Sequence, residues 1–131
     1  MSGTATGAVQ AAVFTRINVG SVTTQATVYD EPTEGLAFDY VLIGEAVELA
    51  DNRMGGKVGK DIRFMLHAWT DKRGFKSLQA IARAVDALLD NYELTVTGYV
   101  VNILNAESVQ MLREGILRHA ILTYRINLVE A

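Results

Sequence analysis

The stretch that decides the fold is Asp61–Thr70, DIRFMLHAWT. In an extended chain successive side chains point to opposite faces, so Ile62, Phe64, Leu66 and Ala68 fall on one side and Arg63, Met65, His67 and Trp69 on the other. One face is core; the other is wet or meets a partner. Upstream, Phe38–Glu48, FDYVLIGEAVE, is dense in β-branched and aromatic residues and reads as a second strand. Between them lies LADNRMGGKVGK, Leu49–Lys60. The simplest arrangement is an antiparallel hairpin over about 38–70 with a long tip, since hairpin loops usually run only two to five residues.

Beyond this hairpin the periodicity changes. Leu78, Ile81, Ala82, Val85, Leu88 and Leu89 recur at helical spacing and predict an amphipathic helix over about 77–91. Ala5, Ala8, Val9, Ala12, Val13 and Ile17 predict another over about 5–17, despite Gly7. The uncharged stretch 18–28 is a connection with a short strand at 26–29, followed by breakers around the only proline, Pro32. A second hairpin is expected over 94–129, interrupted near Gly98 and turning at Arg113-Glu114-Gly115. In its last strand Ala120, Leu122, Tyr124, Ile126 and Leu128 share one face, and His119, Thr123, Arg125 and Asn127 the other. The expected fold is a single α+β domain, 1–131. Its antiparallel (mixed) sheet of about four to five strands carries two α-helices on one face and a long hairpin tip.

Composition narrows the function. The chain has 131 residues, half of them apolar and 21% charged, enough for one well-buried core. It has no cysteine, so neither a disulfide framework nor a thiolate site is available, and the cytosol is the default compartment. A formal charge of -3 argues against a chain devoted to wrapping nucleic acid. The N-terminus lacks the positive region of a secretory signal and reads as mature sequence. No window has the apolar length to span a membrane, so a soluble protein is expected.

The stretch GGKVGK invites a phosphate-loop reading and fails it. Gly55 and Gly59 enclose three residues instead of four, Asp61 follows Lys60 where Ser or Thr is needed, and a strand follows instead of a helix. His67 and His119 lack companions along their strands, so a surface or interface role is expected for both. Asp30, Glu31 and Glu34 sit in a turn that explains them without catalysis. No nucleophile elbow or spaced metal motif occurs, so no catalytic, metal or cofactor residue is assigned.

Two groups of residues invite contact instead. The tip carries Arg53, Met54, Gly55, Gly56, Lys57 and Lys60, and a basic loop before the helix carries Lys72, Arg73 and Lys76. The bland alternative is solvated charges balanced by Asp51, Asp61 and Asp71. On the non-core face Met65, His67, Trp69, Ile121 and Arg125 line up if their strands share a sheet, a composition typical of subunit interfaces. The alternative there is a layer covered by the N-terminal segment. Tyr40, Trp69 and Tyr124 could also line a small-ligand pocket.

In order and spacing, VYDEPTEGLAFDYVLIGE, FMLHAWTDKRGFKSLQAIARAVDALLD and ILTYRINLVE resemble the tail-completion, or tail terminator, family of long-tailed bacteriophages and prophages, over about 26–130. The family pattern falls on Tyr29, Asp30 and Pro32, on Gly44 and Glu45, on Leu66–Trp69, on Leu78–Leu89 and on Leu122–Leu128. The resemblance implies a protein without catalysis whose copies form a ring, typically of six, on the tail tube. Such a ring stops polymerisation of the tail tube protein and faces the head connector or stopper protein. It further implies a place in the neck of the virion tail, assembly in the host cytoplasm, and genomic DNA passing through the lumen without specific binding. The tip, Asp51–Lys60, would then touch the tube or a neighbour, or line the lumen. Other readings are another neck or head-tail joining protein, such as a head-closure or minor tail protein, or a small ligand-binding domain.

Overall fold

The computed structural model describes residues 4–31, 36–51 and 58–131. In chain order the elements are α1 (Thr6–Ile17), α2 (Gly20–Thr23), β1 (Thr27–Tyr29), β2 (Tyr40–Ala50), β3 (Gly59–Thr70), α3 (Lys76–Leu89), β4 (Tyr99–Glu114) and β5 (Leu117–Glu130). The strands form one sheet in the order β1-β2-β3-β5-β4. Every pairing is antiparallel except that of β1 with β2, which is parallel and makes the sheet mixed. The α+β class with helices on one face agrees with the sequence reading.

The alternation in Asp61–Thr70 puts Ile62, Leu66 and Ala68 at full burial beside their β5 partners Ile126, Leu122 and Ala120. Helix α3 brings Leu78, Ile81, Ala82, Val85 and Leu89 down onto this face, and α1 adds Val9, Val13 and Ile17. Phe64 and Tyr124, paired across β3 and β5, stack with centroids 5.7 Å apart. Burying such side chains contributes roughly 1.5–3 kcal/mol each before conformational entropy is subtracted. The Tyr124 hydroxyl donates to Asp86 on α3 at 2.9 Å, so the one polar atom of that ring is satisfied at the helix–sheet seam.

Three local features differ from the sequence reading. The β4–β5 turn is Gly115-Ile116, two residues later than the start expected at Arg113, because Arg113 and Glu114 still pair with Arg118 and Leu117. Gly115 supplies the positive φ, 62°, that the first position of such a two-residue turn requires. The stretch before β4 is not a strand: Leu94 and Val96 are buried in irregular backbone, and regular pairing starts at Tyr99, after Gly98 at φ 86°. The connection after α1 contains the four-residue α2, whose Val22 is fully buried.

Candidate assembly surface

The second face of the sheet is built row by row by the strand register. Tyr40, Trp69, His119 and Leu112 stand in one row, Leu42, His67, Ile121 and Gln110 in the next, and Met65, Thr123 and Ser108 further along. Arg63 and Arg125 pair directly, and beyond them Asp61 pairs with Asn127. Met65, His67, Trp69 and Arg125 therefore converge on one face, as the alternation requires. The described part of the N-terminal segment does not cover them: α1 buries its apolar stripe in the core on the opposite face. Among the described residues no element overlies this surface.

Its centre is a polar band. Arg125 Nε donates to Asp61 at 2.8 Å, and Arg63 Nε donates to Glu107 at 2.9 Å while its Nη1 lies 3.7 Å from Asp61. Asn127 donates to Asp51 at 2.6 Å and accepts from Asn102 at 2.8 Å. Asn102 and Glu107 reach this band because they are the extra residues of two β-bulges in β4, at the register shifts between Val101 and Ile103 and between Ala106 and Ser108. Around the band Val47, Leu49, Val100 and Ile103 are exposed. Half-exposed arginines with an apolar surround are the composition of a contact surface.

At the other end the two histidines meet. His119 lies flat against Trp69, centroids 3.8 Å apart and planes at 8°. Its Nε2 is 2.7 Å from His67 Nδ1, its Nδ1 is 3.1 Å from Glu114, and His67 Nε2 contacts Glu45. The hydrogen bond with His67 holds the Glu45 carboxyl below its usual range. The strand sequence offered neither carboxylate. Glu45 arrives through a bulge in which Gly44 and Glu45 together oppose Met65, and Glu114 arrives from the β4–β5 hairpin. The available signal was the broken alternation, since Val41, Ile43 and Ala46 share the core side only if one residue is extra. Among the described residues no group of three or more His, Asp or Glu is arranged to hold a metal ion.

The basic loop is larger than the sequence showed. Lys72 pairs with Asp39 at 3.0 Å, whereas Arg73 and Lys76 are exposed. Helix α3 starts among them at Lys76, after an N-cap residue, Phe75, that makes no side-chain cap, and it has no acid in its first turn. Arg113 and Arg118, cross-strand partners at the β4–β5 turn, set their guanidinium carbons 4.7 and 5.9 Å from the Phe75 ring. The expected partners of these charges change accordingly: Asp61 serves Arg63 and Arg125, and Asp39 serves Lys72.

Of the tip group, Arg53, Met54, Gly55, Gly56 and Lys57 lie outside the described residues. Lys60 is placed within β3, its Nζ 3.4 Å from Glu48 beneath α1, and not on the tip. The small-ligand reading loses its residues: Tyr124 is fully buried on the core face and Trp69 stands on the other, so Tyr40, Trp69 and Tyr124 line no common pocket. A groove of about 650 Å³ runs between α1 and the stretch before β4, lined by Ala8, Ala12, Arg16, Tyr92 and Leu94 among others, and holds none of the three.

The sheet is sealed by helices on one face and, among the described residues, left uncovered on the other, where arginine and aromatic side chains gather. Residues 7–128 match the family of tail completion protein gp17, and the chain belongs to that family. It is a structural protein of bacteriophage tails. In line with this, a solved chain from "Virion of native gene transfer agent (GTA) particle" shares the fold with a TM-score of 0.87 over 98% of this chain and 99% of that one, at 24% identity. No curated protein sequence matches.

Proposed function

We propose that this protein assembles into a ring of six copies at the head-proximal end of the tail tube. There it ends polymerisation of the tail tube protein and joins the tail to the head connector or stopper protein. The observation that carries this reading is the open sheet face around Met65, Trp69, Arg63 and Arg125, which receives the adjacent copy. Repeated contact of one surface with a different one closes a ring when the rotation allows it. The basic patch of Lys72, Arg73 and Lys76, extended by Arg113 and Arg118, is the second contact, facing a tube or head partner. The tip with Arg53 and Lys57 reaches the tube. The formal charge of -3 supports a lumen that lets genomic DNA pass without specific binding. Assembly takes place in the host cytoplasm, and the finished ring sits in the neck.

Negative-stain electron microscopy over a range of concentrations, with light-scattering mass, tests the ring. Closed rings with a central hole, and tubes of uniform length when the tube protein is polymerised with it, are the expected result. Tubes growing past their normal length in its presence would sink the proposal.

A further inference from the structure

The contacts Glu45–His67–His119–Glu114 form an unbroken row on the open sheet face. The rings of the two histidines are 25° from parallel with centroids 4.9 Å apart, while Nδ1 of one is 2.7 Å from Nε2 of the other. The short approach therefore lies close to the line of ring centres, and the contact is an edge-on hydrogen bond, not a face-to-face stack. The face of His119 is taken by Trp69 instead.

Counting protons on this row leaves one complete solution. With both carboxylates ionised they only accept, so His67 Nε2 and His119 Nδ1 must each carry a proton to donate outward. The central link needs one more, on either His67 Nδ1 or His119 Nε2. Three protons on four ring nitrogens make every bond. Two protons leave a nitrogen lone pair facing a carboxylate, or two lone pairs facing each other across the central link. Four set two N–H groups and two positive charges against one another. We propose that His67 and His119 bind one proton in common, forming a singly charged pair that fastens the β2 bulge to the β4–β5 turn.

The surroundings favour this charge. A carboxyl group is a stronger acid than an imidazolium, so the extra proton belongs on the rings and not on Glu114. The indole face of Trp69 attracts the cation. His119 is 6% exposed, and this burial works against the charge, which the contact of His119 with Glu114 and that of His67 with Glu45 offset. The groups facing the pair are Glu45 from β2 and Glu114 from β4, with Tyr40 beside Trp69. Met65 on β3, Ile121 on β5, and Gln110 and Leu112 on β4 bring no charge. Helices α1, α2 and α3 bury their apolar residues on the other face.

The pair supplies its own reporter, because Trp69 is the only tryptophan and an imidazolium quenches indole emission more strongly than neutral imidazole. Ring nitrogens of the ¹⁵N-labelled protein, read by long-range proton–nitrogen correlation at neutral pH, are expected to show three bound protons. Glu114→Gln is the deciding variant: its amide can donate to His119 Nδ1, so two ring protons complete the row. The count should fall from three to two and Trp69 emission should rise at the same pH. Glu114 is exposed at the end of its strand, so the variant keeps the fold. One proton on each ring of the wild-type protein, or an unchanged count in Glu114→Gln, would overturn the proposal.

Discussion

The carboxylate of Glu48, near the end of the sheet's second strand, accepts a 2.7 Å hydrogen bond from the hydroxyl of Thr6, 42 residues earlier, at the start of α1. The same oxygen accepts the Ala5 and Thr6 amides at 2.9 and 3.0 Å. Helix α1 has no cap of its own and no acid in its first turn, so the exposed donors of its N-terminus are satisfied by a strand. Lys60, across the hairpin, steadies the charge at 3.4 Å. One carboxylate thus ties the helix layer to the hairpin.

Glu48→Ala should lower stability by about 1–2 kcal/mol, the usual range for losing a helix cap. Urea denaturation at neutral pH measures it. Burial works to raise the Glu48 carboxyl, but the bonds from Thr6, Ala5 and Lys60 outweigh it and leave it lower than normal. A depressed carboxyl stabilises the fold above its unfolded value and loses that contribution as pH falls through the folded one. The gap between wild type and variant should therefore narrow below the ordinary carboxylate range. A gap constant with pH would show that the charge is not the stabilising element.

Two glycines should differ in what they tolerate. A Cβ on Gly44 would come within 2.5 Å of the His67 ring, which can rotate at some loss, so Gly44→Ala should cost about 1–3 kcal/mol. On Gly59 it would lie 2.0 Å from the backbone oxygen of Asp51, where the hairpin closes and nothing can swing away. Gly59→Ala should be the more damaging of the two in thermal melts, and the reverse order would contradict this packing.

Tyr124→Phe removes the bond to Asp86 and should cost about 1–2 kcal/mol. Burial, the hydrogen bond to Asp86 and its charge all push the Tyr124 hydroxyl above the tyrosine range. A raised value means that the stabilisation is present below the unfolded pKa and is lost as pH rises toward the folded one. The wild-type protein should therefore lose stability relative to Tyr124→Phe at strongly alkaline pH. Phenolate absorbance should show this tyrosine ionising only on unfolding.

Met65→Glu places a charge in the middle of the open face without touching the core. Its melting temperature should stay close to that of the wild type, as for most surface changes, while ring formation is lost. Rings of normal size from a folded Met65→Glu protein would remove this face from the proposed contact.

Much of this was legible in the residues themselves. Alternation along Asp61–Thr70 and along the final strand named the buried side chains, because a strand sends successive side chains to opposite faces whatever lies around it. The stripe from Leu78 to Leu89 located α3 for the same kind of reason, the fixed turn of a helix. These periodicities also put Met65, His67 and Trp69 on the non-core side of one strand and Arg125 on that of another, and the pairing of β3 with β5 brought them together.

What only the tertiary structure decided is who stands opposite whom. Strand order and register arise from packing between distant segments, and no local pattern encodes them. They bring His67 to His119 across 52 residues, set Asp61 under Arg125, and slide Glu48 beneath α1. They also turn β1 parallel to β2 and let the Gly44-Glu45 bulge deliver a carboxylate where the strand pattern offered none. The elements follow from short-range backbone geometry. The chemistry of the open face follows from long-range contacts, which exist only once the sheet has closed against its helices.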